Sequence, residues 1–208
     1  MIRNKIFIEA KHQNTSEYHF IETLLQKFFP DTGYTISCID GIGNLFSEAI
    51  VNQISLAQNS GDQVIVLADA DTIAKGYGYA KRKQDIDNGM TAKGISFPYF
   101  LYPDNCSDGD VETLMLSTAQ RNSHIVFFDC FEDYEKCVSG VKDSNGNPKY
   151  NAPDLKGKLH TYMSAQKLPR KLRDRLGRGD WLFEDINFWD LNVSDLDPLK
   201  SFLAANLK

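Results

Sequence analysis

The chain has 208 residues, of which 42% are hydrophobic and 12% aromatic, so it can fill one sizeable α/β core. Its formal net charge of −5 argues against a protein that coats nucleic acid through a broad basic face, although an enzyme that touches phosphates through a metal and a few local cations remains compatible with it. No stretch is apolar enough to span a bilayer and the four cysteines form no CxxC pair, so we expect a reduced, cytoplasmic protein with no membrane partner.

The first part of the chain alternates strands with helices. The predicted strands cover residues 5–10, 34–39 and 64–68. The predicted helices run from Thr15 or Ser16 to about residue 29, and from about residue 45 to residue 58. This alternation predicts parallel strands joined by right-handed crossovers.

The remainder of the chain is more helical. We predict a helix near residues 79–88, a fourth strand over 95–101 and a helix that Asp110 opens. Further helices are predicted over 125–139 and 153–166, with a final one capped near Asp195, and Trp181 and Trp189 are interpreted as packing anchors. The predicted fold is a Rossmann-like, mostly parallel sheet of about four strands flanked by helices. Residues 1–125 form this α/β core, and the mainly helical extension 126–208 packs on it as one compact unit.

A buried strand ends in two carboxylates, Asp69 and Asp71, in the stretch VIVLADAD over residues 64–71. The run is apolar on both faces, which is typical of a central strand in a helix-covered parallel sheet. Ligands of such sheets bind beyond the carboxyl ends of the strands, and residues i and i+2 of a strand share a side at roughly 6.6 Å. Two carboxylates held in this way repel each other unless a cation lies near them. Acidic residues are also common in loops after strands, so the pair alone does not decide between a loop and a metal site.

Glu9 closes the first predicted strand as Asp69 and Asp71 close the third. In a doubly wound sheet both strand ends open on the same edge, so the three side chains can converge although sixty residues separate them in sequence. Hard oxygen ligands of this kind suit Mg²⁺ or Mn²⁺.

This order, a strand ending in Glu and a later strand ending in Asp-x-Asp, resembles the Toprim domain shared by topoisomerases, primases and OLD-family nucleases. The segments FLYPDN over 100–105 and DGDVETL over 108–114 are similar to small stand-alone Toprim-like proteins of unassigned function. The similarity continues through DLKGKL over 154–159 and Tyr162 to the tail at 198–203, so it spans nearly the whole chain. The resemblance implies a Toprim-like form of the Rossmann-like fold.

The resemblance implies a metal at Glu9, Asp69 and Asp71, with Mg²⁺ or Mn²⁺ as the cofactor. It also implies that Glu112, with Asp108 or Asp110, serves a second metal site. All three of these later residues lie near a predicted helix start, where the helix dipole alone would explain an acidic side chain.

Catalytic roles are implied for Glu9 and for a lysine that neutralises charge on the phosphate. Lys156 is the first choice and Lys158 the reserve, although both are also ordinary residues of a solvated amphipathic helix. Two metals flanking a phosphate can activate the attacking oxygen and stabilise the leaving one.

Two departures from the Toprim pattern bear on the function. Ala10 stands where many Toprim proteins have Gly after the glutamate, and the aspartate that often follows is missing from residues 11–13. The leading hypothesis is a Mg²⁺-dependent phosphoryl-transfer enzyme, most simply a nuclease acting on DNA or RNA in phage defence or repair. The departures favour an alternative, a non-catalytic metal- or nucleotide-binding module that regulates a partner such as an ATPase. A response-regulator receiver ranks last, because only Glu9 is available after the first strand.

Overall fold

A computed structural model describes residues 3–208, which contain four strands and eight helices. The strands are β1 (Asn4–Ile8), β2 (Tyr34–Cys38), β3 (Gln63–Asp69) and β4 (Tyr99–Tyr102). The helices are α1 (Ser16–Phe28), α2 (Glu48–Asn59), α3 (Tyr79–Lys93), α4 (Val111–Thr118), α5 (Ile125–Gly140), α6 (Leu155–Ser164), α7 (Arg170–Leu176) and α8 (Asp197–Asn206). Single turns of 3₁₀-helix occur at Ile42–Asn44, Ile73–Lys75 and Ser194–Leu196.

All four strands are parallel, in the order β2-β1-β3-β4. β3 lies inside the sheet, and its residues from Val64 to Ala68 are buried, which confirms the central strand expected from its apolar run. Helices flank the sheet, so the predicted α/β, Rossmann-like class is confirmed. Because Ile8 pairs with Leu67, the residues that follow β1 and those that end β3 meet at one edge.

Two apolar clusters cover the two faces of the sheet. One includes Ile54 of α2 and Ile86 of α3. The other combines Leu24 of α1 with residues from the later helices and the tail, among them Leu159 and Leu203. Each fully buried side chain of this size contributes about 1.5–3 kcal/mol, so residues beyond 125 add substantially to the core that covers β1 and β3.

The aromatic tail is part of this second cluster. Trp181 and Trp189 are 4% and 1% exposed, and the indole N–H of Trp189 donates to the carbonyl of Trp181 at 2.8 Å. Their interpretation as packing anchors is confirmed, because burying both rings around a satisfied indole leaves no open stacking surface.

Several predicted boundaries were wrong. β4 covers Tyr99–Tyr102 and not 95–101, since Pro98, which has no N–H, precedes it and contributes only its carbonyl to β3. α2 starts at Glu48 because a 3₁₀ turn occupies Ile42–Asn44. α7 was not predicted, since the sequence RKLRDRL offers only two apolar positions. No helix in the described part of the chain has the length and apolarity needed to cross a membrane.

Candidate functional site

Glu9, the residue after β1, lies at the carboxyl edge of the sheet. Its Oε2 accepts a hydrogen bond from the backbone N–H of Asp69, and its Oε1 accepts one from Ile42, both at 3.2 Å. Glu9 therefore joins the ends of β1 and β3 to the turn that follows β2. The parallel sheet brings the two strand ends together, and these backbone bonds fix the carboxylate between them.

Asp69, the last residue of β3, joins this edge to α4. Its Oδ1 accepts a hydrogen bond from the N–H of Val111 at 2.8 Å, and Val111 is the first residue of α4. The next residue along that first turn, Glu112, is consequently held at the same edge. The N–H groups of a helix start carry partial positive charge, which favours carboxylates there.

α1 contributes a further carboxylate, Glu17. Thr15 caps this helix, and Glu17 in its first turn accepts a hydrogen bond from the backbone N–H of Glu9 at 3.2 Å. Glu17 and Glu112 are each only 9% exposed. Five carboxylates therefore line one cavity of about 310 Å³, those of Glu9, Glu17, Asp40, Asp69 and Glu112, together with Lys11 and Lys156.

More carboxyl groups line the cavity than the nearby cations can neutralise. Burial, followed by repulsion from Glu9, raises the pKa of Glu17 to about 8. Burial and the charges of Glu9, Glu17 and Glu112 raise the pKa of Asp69 well above its usual range. Burial also raises the pKa of Glu112, against the opposing effect of Lys156. Close carboxylates in a poorly solvated site disfavour their own ionisation, and a bound cation removes that cost.

One cation approaches the carboxylates directly. The Nζ of Lys156 lies 3.5 Å from Oε1 of Glu112, at the first turn of α6, which Asp154 caps. The Lys156 side chain is 64% exposed, whereas that of Glu112 is 12% exposed, so the lysine occupies the mouth of the cavity. Its ammonium can meet an anionic ligand as that ligand enters.

Beneath the carboxylates lies a hydroxyl without a partner. Tyr102 is fully buried, and its hydroxyl makes no hydrogen bond within residues 3–208. Burial and the charges of Glu17, Asp69 and Glu9 raise the pKa of Tyr102 well above its usual range, so it remains a protonated donor. An unpaired buried donor beside crowded carboxylates is unusual for a purely structural site.

This donor set fits a hard divalent cation, because it offers carboxylate oxygens in excess of local positive charge. In residues 3–208, however, no three His, Cys, Asp or Glu side chains are already arranged around one point as a bound ion requires. If an ion binds here, Glu9, Glu17, Asp69 and Glu112 are the cavity residues that would hold it.

Asp71, predicted to share this site, points elsewhere. Its carboxylate bonds the guanidinium of Arg82 and, at 3.2 Å, the Nζ of Lys75. β3 ends at Asp69 and Asp71 has a φ of +58°, so the two-residue alternation of a strand does not extend to it. The expectation that Asp69 and Asp71 share one side of the sheet was wrong for this reason. A metal-binding role for Asp71 stays a prediction, without a contact to the cavity in its favour.

Asp108 and Asp110 each accept a hydrogen bond from the first residues of a helix. The Oδ1 of Asp108 accepts the N–H of Tyr79 at 2.7 Å, where α3 begins. Asp110 caps α4 by accepting the N–H of Thr113 at 3.2 Å. Neither residue lines the cavity. Asp110 has the role that the sequence allowed, at the start of its own helix, whereas Asp108 binds the start of α3, which the sequence did not indicate.

The two lysines considered from the sequence lie on different sides of α6. Lys158 is 6% exposed, and its Nζ bonds Glu135 at 3.1 Å, whereas Lys156 lines the cavity. Two positions along a helix differ by about 200° around its axis. Of the two lysines, only Lys156 is therefore placed to meet a ligand of the carboxylates.

The comparison with family models gives a match over residues 4–207, to a family described as protein of unknown function (DUF3226). The chain belongs to that family. No curated protein and no solved structure matches the chain significantly. The match covers both the sheet and the helices after residue 125, so DUF3226 describes the whole arrangement that forms the cavity.

Glu17 and Asp40 of this DUF3226 protein line the cavity without having been singled out from the sequence. For Glu17 a signal was available, because a helix that follows a parallel strand begins at the carboxyl edge of the sheet. An acidic residue in its first turn therefore lies near whatever binds there. Asp40 follows β2 with a φ of +55°, and the glycines at 41 and 43 predicted a tight turn there without indicating that the Asp40 side chain lines a cavity.

Proposed function

We propose that this protein is a Mg²⁺-dependent phosphoryl-transfer enzyme of Toprim type, most simply a nuclease that cleaves DNA or RNA. The observation that carries the proposal is the convergence of Glu9, Glu17, Asp69 and Glu112 in one cavity, with Lys156 at its mouth. Such a cavity attracts a divalent cation, and the cation in turn attracts a phosphate. The four free cysteines agree with a reducing, cytoplasmic setting for this activity.

Each group has a role in this chemistry. Glu9 and Asp69, at two neighbouring strand ends, would hold the ion together with Glu112 and Glu17. When bound, Mg²⁺ supplies Lewis-acid stabilisation of phosphate charge and lowers the pKa of a coordinated water. Lys156 orients the phosphate at the mouth of the cavity and stabilises the charge that develops on it.

The test is hydrolysis of single- and double-stranded DNA and RNA with Mg²⁺ or Mn²⁺. We expect Asp69→Asn and Glu9→Gln to lower the rate at least a hundredfold, and Lys156→Met to lower it about tenfold to a thousandfold. Asp31→Asn and Glu48→Gln, at exposed positions outside the cavity, should leave the rate unchanged. Wild-type rates retained in Asp69→Asn would contradict the proposal.

One observation favours a second function, a non-catalytic metal- or nucleotide-binding module that regulates a partner such as an ATPase. The second aspartate of Asp-Ala-Asp is held by Arg82 and Lys75 and does not line the cavity, so one carboxylate of the Toprim pattern is missing from the site. Calorimetric binding of Mg²⁺ or Mn²⁺ that Asp69→Asn abolishes, with no hydrolysis of any polynucleotide, would favour this function.

A further inference from the structure

The residues that follow α6 in the sequence form a basic surface. It consists of five exposed side chains within and beside α7, and we call it the α7 basic surface: Lys167, Arg170, Lys171, Arg173 and Arg178. Within residues 3–208, Arg175 is the only cation of α7 and its flanks that forms ion pairs. It bonds Asp180 and Glu184 and so holds the helix to the turn that follows it.

None of these five groups forms an ion pair within residues 3–208, and they lie close together in the chain. Lys81, Lys83 and Lys136 are also exposed, but each has a carboxylate of its own helix within 3.1 Å. Those lysines are neutralised locally. The α7 basic surface, in contrast, places five cations around a single exposed carboxylate, Asp174, on a protein whose net charge is −5. A local field of this kind attracts a polyanion even when the whole molecule is acidic.

A close backbone contact connects this surface to the candidate site. Gly179, next to Arg178, packs so tightly on the start of α1 that a Cβ there would lie 2.7 Å from backbone atoms of Thr15. Thr15 lines the acidic cavity and caps the helix that carries Glu17. The end of the α7 basic surface is therefore fixed beside the wall of the cavity.

The inner side of α7 limits the kinds of partner. Leu168, Leu172 and Leu176 pack against the core, so no apolar side of the helix is left to enter a lipid layer. Its outer side offers mostly guanidinium groups, whose forked donors match the oxygens of a phosphodiester. A flexible phosphate backbone suits these contacts better than a lipid surface does.

We propose that the α7 basic surface binds the phosphate backbone of a polynucleotide and leads it to the acidic cavity. The part of this proposal in which the polynucleotide reaches the cavity rests on the proposed function. The binding step itself needs neither a metal ion nor hydrolysis, so it can be measured separately. In this arrangement most phosphates of the polynucleotide contact α7, and only the reacting phosphate lies near the carboxylates.

The experiment is fluorescence anisotropy of short labelled oligonucleotides with the full-length protein in a chelator. Single-stranded DNA, single-stranded RNA and duplex DNA are titrated between about 50 and 200 mM salt. The triple variant Arg170→Gln, Lys171→Gln and Arg173→Gln is compared with the control Lys81→Gln, Lys83→Gln and Lys136→Gln, which removes the same charge from paired positions. Circular dichroism verifies that both variants are folded.

We expect the α7 variant to bind at least tenfold more weakly at moderate salt, and its salt slope to shrink by about 2, since each neutralised phosphate on a single strand contributes about 0.7. The control should bind as the wild type does. Equal losses in both variants would overturn the proposal, as would the absence of wild-type binding to every oligonucleotide. Preferential binding to phosphatidylserine vesicles, lost in the α7 variant, would also overturn it. Binding that depends on α7 without hydrolysis in Mg²⁺ would leave this inference standing while the proposed nuclease function failed.

Discussion

Burial and the crowding of carboxyl groups in the cavity have a large effect on the pKa of Glu17. Its carboxyl is buried beside Glu9, and these two causes raise its pKa from 4.5 to about 8. A carboxyl whose pKa is higher in the folded than in the unfolded state binds more protons when folded. Its contribution to stability is therefore complete below about pH 4.5 and is lost as the pH rises through about 8.

We expect the metal-free protein to lose stability between about pH 5 and about pH 8, and Glu17→Gln to lose less over the same range, because glutamine does not ionise. Urea unfolding in a chelator at each pH measures the free energy of unfolding. Glu48→Gln, at an exposed position of α2, should keep the wild-type dependence. If Glu17→Gln and the wild type declined in parallel, the proton would not reside on Glu17. Adding Mg²⁺ should reduce the wild-type decline, since a cation stabilises the charged form.

Tyr102 provides a second prediction at the level of single atoms. Its buried hydroxyl has no partner within residues 3–208, and an unsatisfied buried group costs about 1–3 kcal/mol. Tyr102→Phe should therefore leave the free energy of unfolding of the metal-free protein unchanged or raise it.

A matched control for Tyr102 is Tyr162, whose buried hydroxyl donates to the carbonyl of Phe188 at 3.1 Å. Tyr162→Phe removes that bond, so we expect a loss of about 1 kcal/mol in the same chemical denaturation experiment. A comparable loss in Tyr102→Phe would mean that its hydroxyl is hydrogen-bonded after all.

The connection between β3 and α3 shows why a sequence pattern and a structural element can end at different residues. VIVLADAD predicted a buried central strand, and that prediction was correct. The alternation that would bring Asp69 and Asp71 together depends on extended backbone at Asp71, where the chain instead enters the left-handed region. The partner that holds Asp71 there, Arg82, comes from the next helix, and a local pattern contains no information about it.

We expect this ion pair to stabilise the connection. The side chains of Arg82 and Asp71 are 7% and 17% exposed, and removing one partner of a buried pair costs about 3–5 kcal/mol. Arg82→Met should lower the free energy of unfolding by about 3 kcal/mol, and Asp71→Asn by at least as much, because it leaves the more buried charge of Arg82 without a carboxylate.

The double variant tests whether the two effects arise from one interaction. Arg82→Met with Asp71→Asn should cost less than the sum of the single changes, in a double-mutant cycle measured by urea unfolding. Additive losses would contradict a direct pair. Lys81→Met, which breaks a surface pair on the same helix and an exposed cation–π contact with Tyr77, should cost under about 1 kcal/mol.

At the level of the whole molecule, the sequence predicted the sheet better than it predicted the cavity. Apolar runs and their alternation with helices specify parallel strands, and the ends of parallel strands specify an edge, so Glu9 and Asp69 were brought together as expected. Glu17 and Lys156 approach from α1 and α6, which are far apart in the sequence. Their positions depend on how α1 and α6 pack, which is a property of the assembled core and not of any segment.

The final helix tests how far this assembly behaves as one unit. Leu203 of α8 is 1% exposed and belongs to the same cluster as Ile6 and Ile8 of β1. The chain end also returns to β1, where the backbone N–H of Lys208 donates to Asn4 at 2.9 Å. Leu203→Ala should therefore lower the free energy of unfolding by about 2–5 kcal/mol, although it lies far from the sheet in sequence.

Two probes report on the two parts of the chain during this unfolding. Trp181 and Trp189 give the fluorescence of the helical part, while far-ultraviolet circular dichroism includes the whole sheet. If the core is continuous, both transitions coincide in the wild type and shift together in Leu203→Ala. Leu56→Ala, at a position that is 66% exposed, should shift neither by more than about 0.5 kcal/mol. A fluorescence transition that moved alone would divide the molecule into two units, because the apolar cluster shared by α8 and β1 would then not couple them.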